Sequence, residues 1–230
     1  MVSCCFIMSE ENLSITIISQ IFKLLDSSWV KGILEKTWTL IKGYFKRPRN
    51  QGMYEVIDYQ TTLDLIDSVG ESAKVYKLEK VRYLQDNIIA FQDQAWGDGK
   101  ILVNYQCYPG MPVDRYRWGY KHHVLISLRQ VKSRGDIDDF KISWEIIRGF
   151  LSTTGFWGTE ISHNTKHMAI HIIFPLKRPP KSAWILEKNR QKTFKLGAGA
   201  IRTLRGGNQE IFWEKKAPRL FEQYILKWEW

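Results

Sequence analysis

Two stretches decide the fold, Tyr120-Lys-His-His-Val-Leu-Ile-Ser-Leu-Arg129 and Asp139-Phe-Lys-Ile-Ser-Trp-Glu-Ile-Ile-Arg148. In the first, Tyr120, His122, Val124, Ile126 and Leu128 share one parity; in the second, Phe140, Ile142, Trp144 and Ile146 do. Successive side chains of a strand point to opposite faces, so each stretch reads as a half-buried β-strand. Between them Ser133-Arg-Gly-Asp136 has turn chemistry, because glycine tolerates positive φ and aspartate bonds its own backbone. The two are expected to be the central antiparallel pair of an all-β domain.

Short strand candidates separated by turns extend outward from this pair to both ends of the region 53–230. Trp96-Gly-Asp-Gly99 is predicted to join residues 87–92 and 101–105 as a hairpin. At the far end Leu220, Tyr224, Leu226, Trp228 and Trp230 share a parity, with clean alternation only from Leu226. About ten strands at this spacing predict a mainly β fold, an antiparallel β-sandwich, although pattern alone does not separate a sandwich from a barrel.

Residues 10–46 have a different character. On a helix, the large apolar residues from Trp29 to Phe45 fall on one half, with Lys31, Glu35, Lys36, Lys42 and Lys46 on the other. The isoleucines and leucines of 15–25 centre on nearly the opposite side, so a break at Asp26-Ser-Ser28 gives two short amphipathic helices, a serine capping the second. The longest lightly charged run, residues 13–22, is about half of the ~20 residues a membrane span needs. The face formed by Trp29, Ile33, Trp38, Ile41, Tyr44 and Phe45 has three candidate uses. It packs on the sheet or the sister helix, docks on a protein partner, or lies in an anionic membrane surface, helped by Lys46-Arg-Pro-Arg49. Residues 47–52 read as a linker. Residues 1–9 read as a disordered tip in which Met8 is an alternative start and Cys4 and Cys5 are candidate acylation sites; Val2 excludes myristoylation.

A length of 230 residues suits one sandwich-sized domain with an appendage. The 3 cysteines form no disulfide framework and no secretory signal is legible, so a cytoplasmic location is expected, peripheral at the inner face of the membrane if the helices attach there. Net charge is +10, and residues 175–219 hold 12 Lys and Arg against 3 Asp and Glu. Lys177, Arg178, Lys181, Lys188, Arg190, Lys192, Lys195, Arg202 and Arg205 are therefore candidate anion-binding residues, and nucleic acid phosphate is one such anion.

Other motifs carry less. His163, His167 and His171 are four apart, but on a strand His167 and His171 are about 13 Å apart, too far for one zinc, leaving a cross-strand pairing of His171 with His123 as the remaining arrangement. Gly97-Asp-Gly-Lys100 and Leu196-Gly-Ala-Gly-Ala200 lack the rest of a phosphate loop, so no nucleotide, metal or cofactor is expected. Asp136, Asp138 and Asp139 read as a solvated acidic turn. Arg115-Tyr-Arg-Trp-Gly-Tyr-Lys121 interleaves cations with aromatics as single-strand binders do. Its parity, continued into Val124, instead predicts a core stripe of Tyr116, Trp118 and Tyr120 with the arginines in solvent. No catalytic motif is present; a hydrolase would need a cleft with a perturbed acid, base or nucleophile.

Through Arg82-Tyr-Leu-Gln-Asp-Asn87, Asp93-Gln-Ala-Trp-Gly-Asp-Gly99, Ile173-Phe-Pro-Leu-Lys-Arg-Pro-Pro180 and Tyr224-Ile-Leu-Lys-Trp-Glu-Trp230, residues 53–230 resemble uncharacterised bacterial β-domains attached to varied N-terminal segments. The resemblance implies an accessory module and no particular activity. The expectation is a non-enzymatic binding or adaptor module, with a nucleic-acid-associated protein and a hydrolase as alternatives.

Overall fold

The structure is a computed structural model, and it describes residues 52–230. The helices expected over 10–46, with Trp29, Ile33, Trp38, Ile41, Tyr44 and Phe45, lie outside the described residues. The described region is mainly β. In chain order its strands are β1 (Tyr54–Leu65), β2 (Ser72–Tyr83), β3 (Ile88–Ala95), β4 (Lys100–Tyr108), β5 (Met111–Trp118), β6 (Lys121–Lys132) and β7 (Ile137–Ile147). They continue as β8 (Thr154–Glu160), β9 (His167–Phe174), β10 (Ser182–Glu187), β11 (Lys192–Lys195), β12 (Ile201–Thr203), β13 (Gln209–Lys216) and β14 (Gln223–Glu229).

These strands form three sheets, ordered β12-β13-β9-β1-β2-β7-β4, β11-β10-β14-β8 and β3-β6-β5. The inner face of the seven-stranded sheet meets both smaller ones. Phe140 stacks on Phe91 of β3 at 4.1 Å, while Phe174 meets Trp228 at 5.6 Å and Trp213 meets Tyr224 at 5.5 Å. A single core of buried side chains from all three sheets results. The alternation expected for Val124, Ile126 and Leu128, for Phe140 to Ile146, and for Tyr224, Leu226 and Trp228 is the burial observed.

The expected pairing of the two deciding stretches is wrong. β6 pairs with β3 and β5, whereas β7 pairs with β2 and β4. Ser133–Asp136 thus carries the chain from one layer to the other, and both strands turn their apolar faces into the same core from opposite sides. Alternation specifies which face is buried and leaves the hydrogen-bonding neighbour open. The same reason undoes the hairpin expected at Trp96–Gly99, because β3 and β4 belong to different sheets. Nor is the fold purely antiparallel, since β9 runs parallel to β1. Asp138 is also not solvated: it is buried, and accepts from Tyr83 Oη and Lys132 Nζ, each at 2.8 Å.

The two smaller sheets meet along a seam between β3 and β8. Side chains bridge it: Gln94 Nε2 donates to Ser162 Oγ at 3.0 Å, Lys121 Nζ to Glu160 Oε2 at 2.8 Å, and Gln223 Nε2 to Tyr120 Oη at 3.0 Å.

Candidate functional site

Two places concentrate chemistry. The first is the β5–β6 hairpin. Gly119 at φ +62 and Tyr120 form a tight turn that pairs Trp118 with Lys121, so residues 115–121 reverse direction instead of running on into Val124. The core stripe expected of Tyr116, Trp118 and Tyr120 is accordingly overturned: they are 43%, 77% and 54% exposed. β5 lies at the edge of its sheet and, among the described strands, pairs with β6 alone. Tyr116 stacks on His123 at 5.0 Å and donates to Gln92 Oε1 at 3.2 Å, which holds its ring in place. Arg115 stacks over Tyr105 at 5.2 Å and donates to the Leu102 carbonyl, and Arg117 Nε donates to the Gly119 carbonyl at 3.0 Å. Lys121 lies over both Trp96 and Tyr120.

The second place is a pocket of about 180 Å³ at the seam, lined by Tyr54, Tyr59, Lys77, Glu79, Gln92, Asp93, Gln94 and residues 159–163 among others. β2 aims Lys77 and Glu79 inward on the parity of Val75 and Val81, and β3 aims Asp93 inward beside Phe91. Lys77 Nζ bonds Asp93 Oδ1, and Tyr105 Oη donates to Asp93 Oδ2 at 2.9 Å. Burial by itself would lower the Lys77 pKa, but Asp93 beside it holds it above the ordinary lysine value. Burial pushes the Glu79 carboxyl up to about 7 against the opposing pull of Lys77. Burial also pushes the nearby Cys107 thiol up to about 12, with Asp93 adding to it, so the sulfur stays a protonated, weak nucleophile. His163 stacks on Tyr54 at 4.0 Å, and burial lowers its pKa.

This polar cluster was within reach of the sequence. Lys77 and Glu79 fall on the inward parity of Ala73, Val75, Val81 and Tyr83, and two charges on an apolar face are a signal in themselves. That they meet Asp93 and the 159–163 segment required the tertiary fold.

The basic residues of 175–219 have more divided fates. Arg178 lies 3.4 Å above the Trp230 ring and donates to the Ser152 carbonyl at 2.7 Å and, at longer range, to those of Ser68 and Phe150. Arg190 pairs with Glu187 at 2.9 Å, and Arg202 pairs with Glu210. Lys181 reaches the Trp230 carbonyl at 3.4 Å. Lys177, Lys188, Lys192, Lys195 and Arg205 are exposed, on the turns flanking β10, on edge strand β11, and beyond edge strand β12. The histidines are taken up separately: His167 by Asp58 at 2.6 Å, His171 by Glu210 at 2.7 Å, and His123 by Gln92 at 2.7 Å. The pairing of His171 with His123 is therefore not formed.

No family model matches the chain, and no curated protein matches it. Among solved structures, an M1 zinc metallopeptidase from Deinococcus radiodurans aligns with a TM-score of 0.47 and 10% identity over 76% of this chain and 42% of that one. A mutant of that enzyme bound to a Tyr-Ser-Ala substrate gives the same score and identity over 76% of this chain and 43% of that one. The chain thus spans less than half the length of these two solved structures.

Proposed function

We propose that this protein is a non-enzymatic binding module, a β-sandwich preceded by two amphipathic helices. The helices attach it to an anionic membrane surface or a protein partner through Trp29, Ile33, Trp38, Ile41, Tyr44 and Phe45, and the sandwich recognises a further partner through the β5–β6 hairpin. The observation that carries the recognition half is the exposure of Trp118, Tyr120 and Tyr116 together on one hairpin. Solvent-facing aromatics gathered in one place mark interaction surfaces, and tryptophan and tyrosine dominate the energetics of interfaces. Flotation of the full chain with anionic and neutral vesicles tests the attachment half. The wild type floats with anionic vesicles and a Trp29→Glu/Trp38→Glu variant stays at the bottom; flotation of both proteins, or of neither, removes membrane attachment. For the recognition half, a partner captured by the wild type is lost by Trp118→Ala/Tyr120→Ala.

One observation favours nucleic acid as that partner. Arg115, Arg117 and Lys121 alternate with the same exposed aromatics, the pattern on which single strands stack. In this reading the contact surface is the hairpin, with the exposed cations of 175–219 as a further phosphate surface. A labelled oligothymidine then binds with an affinity that falls steeply with salt, and Trp118→Ala costs about 1–3 kcal/mol. Salt-independent binding would exclude it.

A further inference from the structure

The seam pocket carries a charge imbalance that the hairpin reading does not use. Two carboxyl groups, Asp93 and Glu79, face one ammonium, that of Lys77. Asp93 takes the close contact, and it also accepts from Tyr105 Oη and from the Gln94 backbone N–H at 2.8 Å. Glu79 is left 3.9 Å from Lys77 Nζ, beyond hydrogen-bonding range, with its side chain 9% exposed. Among the described residues, the Glu79 side chain is nine-tenths buried, lines the pocket, faces Lys77 at ion-pair distance and makes no hydrogen bond. A buried ionised group without hydrogen-bond partners is costly, so the pocket favours whatever supplies positive charge and N–H donors there.

The rest of the lining fits the same occupant. Glu160 is held by Lys121 and Gln223 and brings no positive charge, and burial lowers the pKa of His163, which disfavours its charged form. Tyr54 and Tyr59 bring aromatic rings to the lining, and the Tyr59 ring already has a cation over it, Lys77 Nζ at 5.7 Å. Gln92 and Gln94 add side-chain amides. A volume of about 180 Å³ is comparable with cavities of ~150 Å³ that admit benzene, so roughly six to eight non-hydrogen atoms fit. We propose that the seam pocket binds a small organic cation, with a guanidinium or ammonium group seated against the Glu79 carboxylate. A free metabolite and an arginine or lysine side chain of a partner peptide present the same group.

Calorimetric titration of the full chain with n-propylguanidinium, and with neutral n-propylurea, tests this. Because the Glu79 carboxyl titrates near 7, its ionised fraction rises about tenfold between pH 6 and pH 8, and guanidinium affinity rises by the same factor. At pH 7 binding releases protons, read from the dependence of the heat on buffer ionisation enthalpy. Lys77, Asp93, Tyr54, Tyr59 and Cys107 act on this carboxyl or lie beside it, and His163 and Glu160 share the pocket. Glu79→Gln, checked for folding by its thermal transition, abolishes binding. A blocked Ala-Ala-Arg-Ala-Ala peptide binding more than tenfold tighter than n-propylguanidinium identifies a side chain as the source; equal or weaker peptide binding identifies a free ligand. Absence of guanidinium binding, equal binding of the urea, affinity independent of pH, or unchanged binding by folded Glu79→Gln would each overturn the assignment.

Discussion

At the scale of single residues, the buried and half-buried acids do opposite things. Asp67, between β1 and β2, accepts from four backbone N–H groups, those of Val69, Gly70, Glu71 and Ser72, at 2.7–3.1 Å. Burial tends to raise its pKa, but these donors outweigh it and hold the carboxyl below its ordinary value. Asp67→Ala frees four donors in a tight connection and is expected to destabilise by about 1–2 kcal/mol in urea unfolding; the cost is limited because water reaches part of the loop. Glu79 is the reverse case, with a folded pKa near 7 against an ordinary 4.5. Below pH 4.5 both folded and unfolded states hold the proton and nothing is lost. Between 4.5 and 7 the unfolded chain ionises first, so wild-type stability falls as pH rises, and above 7 the full cost is present. Glu79→Gln removes this dependence, so its urea midpoint gains on that of the wild type as pH rises from 5 to 8. A slope between pH 5 and 7 as steep in the variant as in the wild type would mean that the carboxyl is not the group responsible.

At the scale of elements, strand pairing rests on a few close approaches. Gly155 of β8 lies opposite Trp228 of β14, and a Cβ added there collides with the indole ring. Gly155→Ala therefore displaces Trp228, which also packs on Phe150, Phe174 and Trp230, and is expected to destabilise by about 1–3 kcal/mol in thermal or urea unfolding. The hairpin of β5 and β6 is an element of another kind. Its outward aromatics are not core, so Trp118→Ala shifts stability by no more than about 0.5 kcal/mol, while under the proposed function it weakens partner binding. A large loss of stability in that variant would show that Trp118 serves packing. The parity of Tyr116, Trp118 and Tyr120 with Val124 was legible in the sequence; the reversal at Gly119 that cancels its meaning was written there only as one glycine among 16.

At the scale of the whole molecule, the basic region and the chain end are tied together. Arg178 joins the Trp230 ring to carbonyls of two separate loops, so Arg178→Ala is expected to cost about 2–4 kcal/mol, whereas Lys192→Ala/Lys195→Ala on the edge strand stays within about 0.5 kcal/mol. A phosphate-binding role predicts the opposite ranking for anion affinity, with the exposed lysines mattering more. What the sequence by itself determined is local: most of the strand segments, though not β5, β11 or β12, which bring the described strands to fourteen where about ten were expected, and which side chains of β6, β7 and β14 face inward, because the two-residue period of a strand is set by backbone geometry alone. Even the polar cluster was half visible, as Lys77 and Glu79 on an apolar parity. Tertiary structure alone decided that β6 and β7 lie in opposite layers, that β9 runs parallel to β1, and that Lys77, Glu79 and Asp93 close one pocket at the seam. The physical reason is that alternation encodes the direction of a side chain, whereas the identity of a hydrogen-bonded neighbour depends on backbone groups that are alike at nearly every position. Only the packing of all three sheets around one core distinguishes among the pairings those groups allow.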